Sequence, residues 1–396
     1  MKVVKMKRIG LTGDSAVAFA AKQANVDVIS AYPITPQTII VEVLSEFVHN
    51  GELDAAFIPV ESEHSALSAA VGASLAGARV FTATASQGLA LMYEILYIAA
   101  SLRAPIVMAL GNRAFSAPIN IHCSHDDAYA ARDTGWIQLF SENPQEAYDL
   151  TLQAFKIAED KRVLLPTIVN LDGFIVTHCF EGLDVFEDDE VPNFLPPREP
   201  VYQIDPDNPI TYGPLAFFDY YMEIKRQQAE AIKNSYPVIK EVLNEFSKFS
   251  GRTYTPIKTY GMEDAEVAIV VLGSTAGTAR YVAKELRKEG KKVGVVSLVV
   301  YRPLPVDELV DILKSVKVAA VLDRSYSFGS PGGQLYMDIS AALYNESERP
   351  LLFNVIYGLG GRDMTVNNLK SIFEKALEYA EKGKIEKKEL WVGVRE

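Results

Sequence analysis

Cysteine is nearly absent: the 396 residues contain two, Cys123 and Cys179, far apart in the chain. Two separated thiols suit a reducing cytoplasm, the expected location. They exclude a self-contained cysteine-ligated iron–sulfur cluster, which takes four thiolates in the usual case. The five histidines show no HExxH or comparable spacing, so no metal site is expected in this chain. No stretch reaches the roughly 18 consecutive apolar residues of a membrane span. The basic start, MKVVKMKR, lacks the apolar core of a signal peptide. Basic residues are outnumbered, 39 Lys and Arg against 51 Asp and Glu, and the net charge of −12 argues against a nucleic-acid binder. Internal repeats and low-complexity tracts are also missing.

What remains has the balance of a globular protein, 48% hydrophobic and 23% charged, with length for two or three domains. The first part alternates apolar runs with helical patterns. Strands are expected at Val26–Ala31, Ala56–Val60, Ala78–Thr84, Pro105–Leu110, Ile137–Phe140 and Leu165–Asn170. Helices are expected at Pro36–His49, Glu63–Ala76, Ser86–Ser101 and Pro144–Ala158. Continuously apolar strands separated by helices imply an α/β fold with a parallel sheet covered on both faces. From Glu181 to about Asn208 the chain turns acidic and Pro-rich, which disfavours helix and strand cores. An extended arm is expected there, crossing its own or a partner subunit and bearing Phe186, Phe194, Leu195 and Tyr202. A long helix, roughly Pro214–Phe249, follows, and then a second βαβ pattern from Glu266 to Lys382. The expected organisation is therefore 1–180, 181–255 and 256–396.

Four stretches carry chemistry. Ala31-Tyr32-Pro33-Ile34-Thr35-Pro36 joins the first expected strand to a helix, and its prolines stiffen the turn around the Thr35 hydroxyl. Glu61-Ser62-Glu63-His64 follows the second expected strand and opens an Ala-rich helix. A helix-dipole effect explains one of these carboxylates, but a second carboxylate and an imidazole beside it suggest proton chemistry. Thr82 to Gly88 ends the third strand with small residues and hydroxyls, and Ser86 is placed as a helix N-cap. Arg113 ends the fourth strand in GNRAF, where a guanidinium suits an acid substrate; a surface ion pair is the alternative. The segment Phe115–Asp127 is expected to be a mobile loop over the site. FGSPGGQL (Phe328–Leu335) and GLGGRD (Gly358–Asp363) read as turns, the first also as a candidate anion site.

Taken in order, AYPITPQT, VESEHSA, TATASQGLALM, GNRA, ARDTGW, LPTIVNLDGF, VYRPLP and GLGGRD resemble the α subunit of the 2-oxoacid:ferredoxin oxidoreductases, over nearly the whole chain. The resemblance implies a first domain like the pyrimidine-binding domain of thiamine diphosphate enzymes and a second like the transketolase C-terminal domain. It implies that Glu63 is catalytic, bonding the aminopyrimidine N1′, with Pro33, Ser86 and Gln87 beside the cofactor. Thr35 and Arg113 would bind the substrate carboxylate. It further implies thiamine diphosphate shared with a β subunit whose GDG-type motif, absent here, holds Mg²⁺ and the diphosphate. The [4Fe-4S] clusters, γ and δ subunits, ferredoxin and coenzyme A complete the picture. Gln37 stands where many relatives have Ser or Thr. Thr35 argues against the oxalate-specific branch, which has arginine there. Pyruvate is the expected substrate, with a branched-chain 2-oxoacid such as 2-oxoisovalerate as the alternative. A thiamine enzyme without ferredoxin and a non-catalytic scaffold subunit are the competing readings.

Overall fold

The computed structural model describes residues 4–395. Four of the seven strands of its first sheet are buried throughout, Ile137–Phe140 among them. Val80–Thr84, Ile106–Asn112 and Thr167–Asp172 are buried at every residue, which is why they show no polar alternation. The sheet order is Val300–Arg302, Ile137–Phe140, Thr167–Asp172, Ile106–Asn112, Val80–Thr84, Val28–Ala31, Ala56–Pro59. All neighbours are parallel except Val300–Arg302, which arrives antiparallel from the C-terminal half and was not expected as a strand.

The second sheet runs Glu389–Val392, Leu351–Tyr357, Val318–Asp323, Val267–Leu272, Val293–Leu298, Ile257–Tyr260, with only the last strand antiparallel. One apolar layer spans both sheets: Leu67, Leu96, Met108 and Trp136 belong to the same cluster as Val270, Leu298 and Leu335. The outer face of the first sheet is covered by the helices Gly13–Gln23, Thr38–His49, Pro144–Glu159 and Tyr221–Ser250. Helices Thr275–Lys288 and Val366–Lys382 cover the far face of the second.

Three expectations are corrected. The helix expected over Ser86–Ser101 runs as two segments, Ser86–Leu91 and Tyr93–Ser101, because ψ at Met92 opens to −6°. The Pro-rich arm begins as a strand, Phe180–Phe186, paired antiparallel with Met6–Thr12. Its Phe186, Phe194 and Leu195 are buried in this chain's own core and await no other subunit; Tyr202 is exposed. The arm is pinned to its own chain, at the end of the helix Glu63–Leu75 and the turn after it, by bonds from Ile204 N to the Leu75 carbonyl (2.8 Å) and from Arg79 to the Pro196 carbonyl (2.7 Å). The long helix starts at Tyr221, seven residues later than expected. Among the described residues no helix is long and apolar enough to cross a membrane.

Candidate active site

Parallel strands present their carboxyl ends on one edge, where open α/β sheets bind ligands. The turn 32–37 follows Val28–Ala31, Glu61–Glu63 follow Ala56–Pro59, Ser86–Gly88 follow Val80–Thr84, and Arg113 follows Ile106–Asn112. The expected site residues therefore lie along a single edge.

The two glutamates separate by environment. Ser62 caps the helix Glu63–Leu75 by accepting from Ser65 N, which fixes Glu63 at its first position. Glu63 is 6% exposed, and among the described residues its carboxylate has no hydrogen-bond partner. Glu61 is exposed, and the hydrogen bond from the Ser65 hydroxyl holds its carboxyl below the usual range. His64 is turned outward onto Glu94 at 3.2 Å. Space beside Glu63 depends on Gly88: a Cβ there would lie 2.6 Å from Glu63 Oε1 and 2.4 Å from Thr84 Oγ1. The Glu63 oxygens keep some contact with solvent and no protein donor occupies them, so the carboxylate is free to share a hydrogen bond with an outside group. An aminopyrimidine nitrogen is such a group, so these residues fit the cofactor that the resemblance implies.

Arg113 and Thr35 do converge. Arg113 is 7% exposed; its Nη1 donates to the Thr35 carbonyl (3.0 Å) and its Nε to the Asn120 carbonyl (2.9 Å). The ion-pair alternative for Arg113 finds no partner, since its side chain makes no salt bridge among the described residues. Thr35 and Pro33 are exposed on the turn, which Gln37 closes from beneath by donating Nε2 to the Tyr32 carbonyl (2.8 Å). Ser86 is not the side-chain cap that was expected. It sits inside the helix start at φ +44°, a left-handed conformation that a non-glycine residue adopts at a cost. Its hydroxyl lies 2.6 Å from the Ala114 carbonyl and 2.7 Å from Gln87 Oε1, and Gln87 is half-buried.

Asp127, which no spacing in the sequence singled out, ties these pieces together. Its Oδ2 accepts from Ser86 N (3.0 Å) and Arg113 N (2.9 Å), and its Oδ1 from Asn112 Nδ2 (3.0 Å) and Ala128 N (2.8 Å). Burial pushes its carboxyl up to about 7 against the lowering effect of these four donors. The segment Phe115–Asp127 is thus not a free loop. Only 116–119, Ile121 and His122 are exposed; Cys123, Ser124, His125 and Asp127 are buried.

The second α/β unit grips that segment. Gly361 N donates to the Cys123 carbonyl (2.7 Å), and His125 N to the Arg324 carbonyl (2.9 Å). Ser325 Oγ donates to Asp126 (2.7 Å). Beneath them Cys123, His125 and Asp172 bring potential ligand atoms within 4.8 Å of one another. The Arg324 guanidinium stands 4.0 Å from Asp172, where a metal cation would be repelled. His125 lies 2.7 Å from Asp172, and Ser274 also donates to it. Burial alone would raise the Asp172 carboxyl, but His125 and Arg324 outweigh it and hold it well below the usual range. Burial pushes the Cys123 thiol up, away from the thiolate a metal needs. FGSPGGQL is a structural turn: Asp323 already accepts from Leu335 N (2.8 Å) and Tyr336 N (3.1 Å), which leaves that helix start no room for an outside anion.

Two α/β units on a shared core, with an unpartnered acid at one strand end and an arginine three strands away, belong to the fold class of the thiamine diphosphate enzymes. The chain superposes on a 2-oxoglutarate:ferredoxin oxidoreductase from Magnetococcus marinus with a TM-score of 0.71 at 19% identity, covering 93% of this chain and 65% of that one. It also matches a split-gene transketolase with a TM-score of 0.54 at 15% identity, over 93% of this chain and 99% of that one. Residues 19–244 match the family model "Pyruvate flavodoxin/ferredoxin oxidoreductase, thiamine diP-bdg", and 265–369 match "Pyruvate:ferredoxin oxidoreductase core domain II". Pyruvate synthase subunit PorA of Pyrococcus abyssi is 52% identical over 98% of both chains. That of Thermotoga maritima is 50% identical over 94% of this chain and 95% of its own, and ketoisovalerate oxidoreductase subunit VorA of Pyrococcus horikoshii is 46% identical over 96% of each. The chain belongs to the pyruvate flavodoxin/ferredoxin oxidoreductase family, as an α subunit.

Proposed function

We propose that this α subunit serves an enzyme that oxidatively decarboxylates pyruvate to acetyl-CoA and CO₂, with ferredoxin taking the electrons. The observation that carries the reading is Glu63: a nearly buried carboxylate without a protein partner, kept open by Gly88. Thiamine diphosphate, when bound, supplies the electron sink that decarboxylation of a 2-oxoacid requires. Glu63 would hold the proton shared with the aminopyrimidine N1′. Arg113, held by the carbonyls of Thr35 and Asn120, would bind the substrate carboxylate together with the Thr35 hydroxyl. Both groups favour the anion before CO₂ leaves, so they orient the bond to be broken. Pro33, Ser86 and Gln87 would line the cofactor, and strain at Ser86 agrees with a site under functional constraint.

Pyruvate is favoured over 2-oxoisovalerate because PorA relatives are 46–52% identical, with those of Pyrococcus and Thermotoga at 50–52%, against 45–46% for VorA relatives. A β subunit would hold Mg²⁺ and the diphosphate, and γ and δ subunits would complete a cytoplasmic complex that carries the clusters and meets coenzyme A and ferredoxin. The test is a substrate panel on the reconstituted complex with ferredoxin or a viologen as acceptor. Pyruvate is expected to give the highest kcat/KM; preference for 2-oxoisovalerate would overturn the assignment. The isolated chain is expected to show no turnover, and activity without a second subunit would contradict the division of the site.

A further inference from the structure

We propose that the second α/β unit positions the Arg113 guanidinium, acting through the Gly358–Gly361 turn and Asn120. The proposal rests on Arg113 as the carboxylate-binding group. Two of the guanidinium's nitrogens are committed to carbonyls, Nε to Asn120 and Nη1 to Thr35, and Nη2 has no protein partner among the described residues. Where Nη2 points therefore follows from where those two carbonyls lie. Thr35 belongs to a proline-flanked turn. Asn120 belongs to a surface segment, 116–122, in which Ile119 is 79% exposed. Left to itself such a segment would be a poor mount for a binding group.

The mount comes from the other unit. Asn120 Nδ2 donates to the Gly360 carbonyl (3.3 Å), and Asn120 Oδ1 accepts from His122 N (2.6 Å). Gly361 N donates to the Cys123 carbonyl (2.7 Å), and Ala114 N to the His122 carbonyl (3.0 Å), which closes the segment behind Arg113. The fit leaves no room for side chains. A Cβ on Gly360 would lie 2.5 Å from Asn120 Nδ2, and one on Gly361 2.4 Å from His122 Cβ. Both glycines also take left-handed φ, +63° and +79°. This accounts for GLGG as a spacing: two adjacent glycines let the turn lie flat on Asn120–Cys123. A second anchor, the Arg324 carbonyl on His125 N, secures the far end of the same segment.

The test uses the assembled enzyme with pyruvate as substrate and four variants: Gly360→Ala, Asn120→Asp, Arg113→Ala and the Gly360→Ala/Arg113→Ala double. Gly383→Ala is the control, because Gly383 has φ +65° in the same unit but nothing within 4 Å of an added Cβ. Gly360→Ala is expected to raise KM by roughly tenfold to a hundredfold, as ångström-scale misplacement of a binding group does. Thiamine diphosphate affinity should stay unchanged. In the Arg113→Ala background Gly360→Ala should add nothing further, whereas independent effects would multiply. Asn120→Asp keeps an acceptor for His122 N and removes the donor to Gly360; it should raise KM in the same direction even if Gly360→Ala does not assemble. Hydrogen exchange over residues 114–123 of the full chain should quicken in Gly360→Ala and not in Gly383→Ala. Multiplicative losses in the double variant, an equal KM rise in Gly383→Ala, unchanged KM in Asn120→Asp or unchanged exchange in Gly360→Ala would each overturn the proposal. Unchanged KM in Arg113→Ala would instead remove the anion-site reading of Arg113, and the exchange result would still decide whether the turn holds the segment.

Discussion

Replacing Asp127 by asparagine should separate activity from stability. The carboxylate accepts two donors on each oxygen, all at 2.8–3.0 Å. An amide keeps one oxygen and turns an NH₂ toward the other pair. Losing two hydrogen bonds to a charged group forfeits about 3–6 kcal/mol at roughly 1.5–3 each. Against this, burial that lifts the carboxyl from 3.8 to about 7 means that the fold disfavours the charge. Because that value is already net of the four donors, it offsets only part of the loss: the neutral amide escapes the penalty that burial sets on the charge, and the thermal midpoint should fall by less than two lost hydrogen bonds alone would imply. The site does not share in that relief. Ser86 N and Arg113 N lose their common acceptor if the amide keeps its oxygen toward Asn112 and Ala128, and the two turns proposed to meet cofactor and substrate then uncouple. kcat/KM for the 2-oxoacid should drop by about tenfold or more. The assay pairs steady-state kinetics of the assembled enzyme with thermal unfolding of the same variant. Unchanged kcat/KM would refute the reasoning, and so would a collapse in thermal stability large enough to account for the loss by itself.

The same group sets a pH dependence: as pH falls through about 7, Asp127 gains a proton and loses an acceptor, so KM in the wild type should rise, and Asp127→Asn should flatten the profile. The sign for stability is opposite. The folded-state value lies above the unfolded value, so this group's contribution is present at low pH and is lost as pH rises from about 4 to about 7, as denaturant titrations would reveal. Glu63→Gln should lose about 10²–10⁴-fold in kcat with assembly intact; retention of activity there and its loss in Glu61→Gln would transfer the role. Arg113→Ala should cut kcat/KM by about tenfold to a hundredfold, with Arg113→Lys restoring part of it. Thr35→Val should cost less, since its carbonyl still accepts from Arg113, and steady-state kinetics would rank the three. Gly88→Ala should mimic Glu63→Gln in turnover because its Cβ would displace the Glu63 carboxylate, whereas Gly72→Ala, with nothing within 4 Å, should be neutral.

Sequence by itself determined the strand and helix order, because buried parallel strands such as Val80–Thr84 and Val318–Asp323 are unbroken apolar runs bounded by helical patterns. It also determined which strand ends carry polar groups, and hence Glu63, Thr35 and Arg113 on one edge. The short edge strands Met6–Thr12, Ile257–Tyr260 and Glu389–Val392 escaped it, since partly exposed segments of mixed polarity give no period to read. The fate of the Pro-rich arm escaped it too: composition marks Phe186 and Phe194 as needing cover, and only packing shows that Phe246 and Phe249 of this same chain provide it. The resemblance already pointed to Glu63 rather than Glu61; the difference in their burial needed the fold, because burial is a property of the surroundings. Asp127, Asn120, Arg324 and the Gly358–Gly361 turn lie up to 248 positions from Arg113 in the chain, from 113 to 361. No local pattern encodes such contacts. They exist because two sheets share one apolar layer, which brings a turn of the second unit against the loop that holds the arginine of the first.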